Sequence, residues 1–177
     1  AGGAGGAGGI AEVTSMPLGE GSINVTVPTS NAGGGSGQQS VNAPNGSDGG
    51  NVTVTSTPVG TITAEGGGGG GTGPSASTGR NGGSGGGGGS FGNQPGGSAT
   101  QPGTNPSPLV TDYGNAGGQA GDSSADASAG GGGGAGGTGQ GTGEPNVAGN
   151  GGNGRNFSNY PYPLYSPIVP SPFQPEM

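Results

Sequence analysis

The chain has 177 residues, among them 53 Gly and 16 Pro, carries a net charge of −7 and contains neither Cys nor His. No imidazole base, thiolate or disulfide can therefore operate in it. Arg80 and Arg155 are the only cationic side chains, so a partner held by its phosphates is not expected, and nucleic acid is set aside.

No apolar run approaches the ~20 residues of a transmembrane helix, so membrane insertion is not expected either. Ten Val, four Ile, three Leu and three Phe are too few to offset the conformational entropy of a chain this long. Glycine deepens the deficit, because it gives up the most backbone freedom on folding. The expectation is that backbone hydrogen bonds and neighbouring subunits supply the order.

Residues 1–9 read AGGAGGAGG, three copies of a three-residue unit. Period three matches polyproline II, which has three residues per turn and no internal hydrogen bonds. Residues 10–65 are the part with ordinary strand chemistry. In 22–27, Ile23, Val25 and Val27 alternate with Ser22, Asn24 and Thr26, the pattern of a strand with one apolar face. The stretch 51–55 (NVTVT) alternates likewise, and 61–64 (TITA) is a third candidate after a break at 58–60. The cluster 45–50 (NGSDGG) reads as a turn between them. Two to four short strands making one small sheet are expected here.

Residues 66–156 hold the three glycine runs 66–71, 85–89 and 130–134. Interior glycine costs a helix ~1 kcal/mol and proline ~3, so no helix of normal length is expected. The stretch 101–108 (QPGTNPSP) reads as a crossing loop, and 110–113 as a further short strand. If the glycine runs are three-fold helices lying side by side, their N–H and C=O groups point outward and bond to adjacent helices. Side chains are then confined to outer faces and turns.

Beyond 156 the glycines vanish. Phe157, Tyr160, Tyr162, Leu164, Tyr165, Ile168, Val169 and Phe173 are interleaved with Pro161, Pro163, Pro167, Pro170, Pro172 and Pro175. The prolines force an extended path. A segment of this kind cannot bury its own aromatics, so these eight residues are the candidate assembly arm.

The ordered succession AGGAGGAGG, LGEGSINVTV, NGSDGGNVTV, TITAEGGGGGG, GRNGGSGGGGGSFG, GGGGAGGTGQGTG and GNGGNG resembles the glycine-rich domain of tailed-phage fibre and tail proteins, over roughly residues 1–155. The resemblance implies a virion appendage, with packed polyglycine II helices and receptor-binding loops as in some related adhesin tips. Glu65 directly before the six-glycine run and the Tyr/Pro arm depart from that pattern. The arm favours a small virion protein docked through its C-terminus.

Other motifs carry less. GxGxxG matches around 85–89 lack the strand and helix of a nucleotide site. Asp48, Asp122 and Asp126 lack the spacing of a calcium loop and read as turn-forming acids. Asn24, Asn45, Asn51 and Asn156 head glycosylation sequons, which arise by coincidence in so Asn-, Ser- and Thr-rich a chain. The PxxP at 167–170 has no flanking Arg, and Ser123 and Ser124 have no base beside them.

The expected fold class is irregular and glycine-rich: packed polyglycine or polyproline II helices with a small β-sheet of short strands and essentially no α-helix. A glycine-rich domain covers 1–155, with a strand-containing part at 10–65 and a polyglycine part at 66–155. The extended arm covers 156–177. The expected function is that of a non-enzymatic structural protein of a phage particle, located in the virion and without a cofactor or metal. Its expected partners are copies of itself, other virion structural proteins and a host surface receptor. A structural filament outside a cell, and a glycine-rich ice-binding protein, stay open as alternatives.

Overall fold

The computed structural model describes residues 2–14, 16, 19–29, 44–57, 59–73, 77–122, 128–143 and 146–157. Among them there is no α-helix, so none is long and apolar enough to cross a membrane. Five short strands are present: β1 Ile10–Val13, β2 Asn24–Thr26, β3 Val52–Ser56, β4 Gly60–Ala64 and β5 Val110–Tyr113.

The strands make two antiparallel sheets where one was expected. One has the order β2-β3-β4 and the other pairs β1 with β5. The three alternating stretches read from the sequence become β2, β3 and β4, and 110–113 becomes β5. Cross-strand pairs Val25↔Val54 and Val54↔Ile62 align the β-branched side chains on one face of the first sheet, the favourable pairing for such residues. Gly60, at φ 87°, sits at the tight return between β3 and β4.

β1 was not anticipated as a strand. Its sequence IAEV has only two large apolar residues, and its partner lies about a hundred positions away, in register from Ile10↔Tyr113 to Val13↔Val110. Local pattern cannot reveal a pairing of that range. The pair ties the early strand-bearing part to the later glycine-rich part.

Apolar side chains do not make the core. Among the described residues Ile62, at 7% exposure, is buried, and the other buried hydrophobic residues are Ala120, Ala129 and Ala135. Continuous burial follows the glycine runs instead: 68–71, 83–90 and 128–135 are buried throughout. Ser84 and Ser90 sit among them, fully enclosed.

The stretch 84–89 occupies the middle. Its N–H groups reach three other stretches in rotation. Ser84 and Gly87 donate to the carbonyls of Ala7 and Ala4 (3.0 and 2.7 Å), Gly85 and Gly88 to those of Asn115 and Gly118 (both 3.0 Å), and Gly86 and Gly89 to those of Arg80 and Ser77 (2.9 and 3.0 Å). Its carbonyls accept from three more. Gly68 and Gly71 donate to Ser84 and Gly87, Gly133 and Gly130 to Gly85 and Gly88, and Gly97 to Gly86. Five of these neighbours are met again three residues on, and six stretches surround the seventh.

The lack of Cβ atoms makes this approach possible. A Cβ built on Gly85, Gly86 or Gly87 would fall inside 3.0 Å of the carbonyl oxygens of Gly97, Gly69 and Gly130 respectively. The run glycines do not adopt left-handed φ values; the described positive-φ glycines are Gly21, Gly60, Gly92 and Gly103. Glycine is required here for space, not for its dihedral freedom.

Candidate functional site

The residues expected to form the assembly arm begin at the edge of the described region. Phe157 is half-buried at the end of the last glycine-rich stretch. Tyr160, Tyr162, Leu164, Tyr165, Ile168, Val169 and Phe173 lie outside the described residues. The stretch leading to Phe157 is anchored through Arg155. Its guanidinium lies 3.7 Å from the Tyr113 ring centroid, and one of its nitrogens donates to the Tyr113 hydroxyl at 3.0 Å. This cation–π contact, worth ~0.5–1 kcal/mol at an exposed position, holds the end of the last glycine-rich stretch against β5.

The cluster 45–50 is not the turn it was expected to be. It runs extended beside 66–72, with Gly46 and Gly49 donating to the Gly70 and Gly67 carbonyls at 2.9 and 2.7 Å. Between those bonds stand three side chains spaced by three. Asn45 Oδ1 accepts the Thr72 N–H at 3.3 Å, Asp48 Oδ1 the Gly69 N–H at 2.9 Å and Asn51 Oδ1 the Gly66 N–H at 2.9 Å. One outward N–H row of the glycine run thus ends on carbonyl-like side-chain oxygens. The signal was in the sequence: Asn, Asp and Asn at 45, 48 and 51 repeat with the same period as the run they cap.

Asp48 also accepts two hydrogen bonds from Arg80, Nε at 2.7 Å and a terminal nitrogen at 2.6 Å. The Arg80 guanidinium holds the Asp48 carboxyl below its ordinary range, against the opposing effect of burial, and the Gly69 N–H adds to the lowering. Asp48 is therefore committed to a structural pair. Among the described residues no group of three or more Asp or Glu side chains converges as a metal ligand set would.

A second cluster closes the other end. Gln101, which in the sequence reads only as part of a loop, has 0% exposure and is the largest fully buried side chain among the described residues. Its Oε1 accepts the Glu65 N–H at 2.7 Å, and its Nε2 donates to the Thr63 carbonyl and to Asp112 Oδ1 at 3.0 and 2.8 Å. Asn105 completes the clamp. Its Oδ1 accepts the Thr63 N–H at 2.8 Å, and its Nδ2 donates to the Thr63 carbonyl and Asp112 Oδ1 at 2.8 and 2.7 Å. Glu65 accepts from the hydroxyls of Thr100 and Thr104. The two side-chain amides act as a short substitute strand along the free edge of β4, which otherwise invites pairing. Glu65, the residue atypical before a glycine run, is part of this joint.

Both clusters therefore do one thing: they end the backbone hydrogen-bond network with side-chain amides and carboxylates. No family model, curated protein or solved structure matches this chain.

Proposed function

We propose that the chain is a non-enzymatic structural module of a tailed-phage particle, a fibre, spike or capsid- or tail-decorating appendage, scaffolded by packed polyglycine II helices. The observation that carries the scaffold reading is the bonding around 84–89. Its N–H groups turn to three stretches and its carbonyls to three others, five of the six revisited every third residue. A left-handed helix of three residues per turn projects its backbone groups in just this rotation. Net worth per bond is ~0.5–1.5 kcal/mol, and the enclosed core consists of such bonds rather than apolar side chains.

The virion assignment rests on the succession of glycine and strand motifs that resembles phage fibre and tail proteins. The arm from 156 onward then docks the module on a neighbouring subunit, and host contact falls to the loops. The polar side chains of the two clusters are spent on closing the scaffold, which supports a structural role.

Two measurements test the reading. Amide exchange of the isolated protein should show Gly85–Gly88 as the slowest region; exchange as fast as in an unstructured peptide would remove the scaffold. An antibody to the chain should decorate purified phage particles at regular positions. Particles that lack the chain while host lysate contains it would overturn the virion assignment.

A further inference from the structure

We infer that the groove between the stretches 4–10, 132–135 and 151–155 is a docking slot for a glycine-rich segment of a different polypeptide, and this rests on the polyglycine reading above. The groove has a volume of about 560 Å³ and is walled almost wholly by Gly and Ala. The N–H rows of 130–135 show what it lacks. Gly130 and Gly133 donate to Gly88 and Gly85, while Gly131 and Gly134 donate to Gln140 and Gly137. The third row, Gly132 and Ala135, finds no acceptor among the described residues. With three residues per turn that row points away from the other two, toward the groove its residues line.

The carbonyl rows alternate with these donors. They accept on three sides, from 118 and 121, from 149 and 152, and from 4 and 7. Among the described residues the stretch 128–135 therefore has five neighbours where 84–89 has six, and the sixth position is the groove. On its other walls the carbonyls of Gly5 and Gly151 receive no N–H from the described residues. An occupant must accept on one side and donate on the other two. A backbone with three residues per turn does this; a side chain or an apolar ligand does not.

The walls also fix composition. Elsewhere in the molecule a Cβ between such stretches meets carbonyl oxygen well inside 3.0 Å. With three walls closed and one side open, an occupant can carry a side chain only on the row facing out, which is a Gly-Gly-X repeat. The chain's own Gly-Gly-Ala stretch, in a second copy, fits poorly. Its remaining outward N–H row, Gly2, Gly5 and Gly8, would meet the donors Gly132 and Ala135. A glycine-rich segment of another protein, with a carbonyl row flanked by two free N–H rows, meets all three walls.

The test uses a synthetic (Gly-Gly-Ala)4 peptide and the full chain, read by backbone amide NMR. Gly154 offers a plug that spares the fold, because a Cβ there meets nothing within 4 Å. The expected result is saturable shifts and slowed exchange at the Gly132 and Ala135 amides, and at least a tenfold weaker affinity in Gly154→Phe. Equal binding by Gly154→Phe, or no response at those amides while Gly85–Gly88 stay protected, overturns the slot and leaves the scaffold standing. Rapid exchange at Gly85–Gly88 instead overturns the scaffold. A concentration-dependent shift at Gly132 without peptide, abolished by Gly154→Phe, names a second copy as occupant and overturns the assignment to another protein.

Discussion

The stretch 84–89 and strand β2 divide the work of the chain the opposite way from most proteins. β2 and its flanks have the alternation of a half-buried strand, yet Ile23, Val25 and Val27 are 49%, 61% and 61% exposed. The stretch 84–89 has five glycines and a serine and is wholly buried. In β2 the apolar pattern marks surface, and in 84–89 the absence of side chains marks the interior. What differs is how each satisfies its backbone. β2 is bonded to β3 alone, whereas 84–89 is bonded to six stretches. In a chain with so few large apolar residues, burial goes to whichever segment can saturate its N–H and C=O groups without water.

The largest break in that comparison comes from adding one methyl group to the interior. A Cβ on Gly87 would lie against the Gly130 carbonyl, with the Gly131 carbonyl carbon 3.0 Å away. These are backbone atoms, which cannot yield as a rotamer does. Overpacking of an ordinary core costs 1–3 kcal/mol, so Gly87→Ala is expected at about 3 kcal/mol or more, measured by urea denaturation. A cost under about 1 kcal/mol would show that the stretches are not packed as tightly as the bonds imply.

Next in size is the clamp that ends the network. Asn105→Ala removes the acceptor of the Thr63 N–H and a donor to its carbonyl in a partly buried setting. Leaving such groups unpaired costs about 1–3 kcal/mol. Asn105→Asp keeps the acceptor but places a second carboxylate beside Asp112, and should be no better. Denaturation midpoints of the two variants, with exchange at Thr63, decide the matter. Full stability of Asn105→Ala would mean that water replaces the amide.

How much of this was legible beforehand depends on the range of the interaction. The alternation in 22–27, 51–55 and 61–64 is local, and all three stretches hold strands, the first over its central residues Asn24–Thr26 only. The absence of helix follows from glycine and proline content. β1 was invisible because its partner β5 is remote and its own four residues carry no clean alternation. Gln101 and Asn105 were invisible as a clamp, since a polar residue in a proline-rich loop looks alike whether it faces water or a strand edge. The 45–50 stretch was misread for a subtler reason. Asn, Gly and Asp are turn residues by propensity, and the competing signal, a period of three, matters only opposite another segment of the same period.

A smaller effect tests the cap on the glycine edge. Asp48 is held ionised by Arg80, and its folded-state pKa is lowered. A lowered carboxyl contributes stability above its unfolded value near 3.9, and that contribution is lost as pH falls through the folded value. Asp48→Asn keeps an oxygen for the Gly69 N–H and discards the charge pair. It should cost no more than ~1 kcal/mol at neutral pH, because the pair is partly exposed. The wild-type loss between pH 5 and the folded value should also shrink in the variant. Parallel pH–stability curves for the two proteins would assign the cap's strength to its hydrogen bond alone.

The smallest expected effect is the most telling about the comparison itself. Val25→Ser changes an apolar residue in the middle of a strand, a substitution that in a half-buried sheet would remove ~1.5 kcal/mol or more. Val25 is 61% exposed, so most of its surface is already in water. The expected cost is within about 0.5 kcal/mol, as for other surface positions, and exchange at Gly85–Gly88 should be unchanged. If the variant instead loses more than ~1.5 kcal/mol in the isolated protein, the exposed stripe is covered in solution. The inversion of inside and outside would then belong to the single chain and not to its associated form.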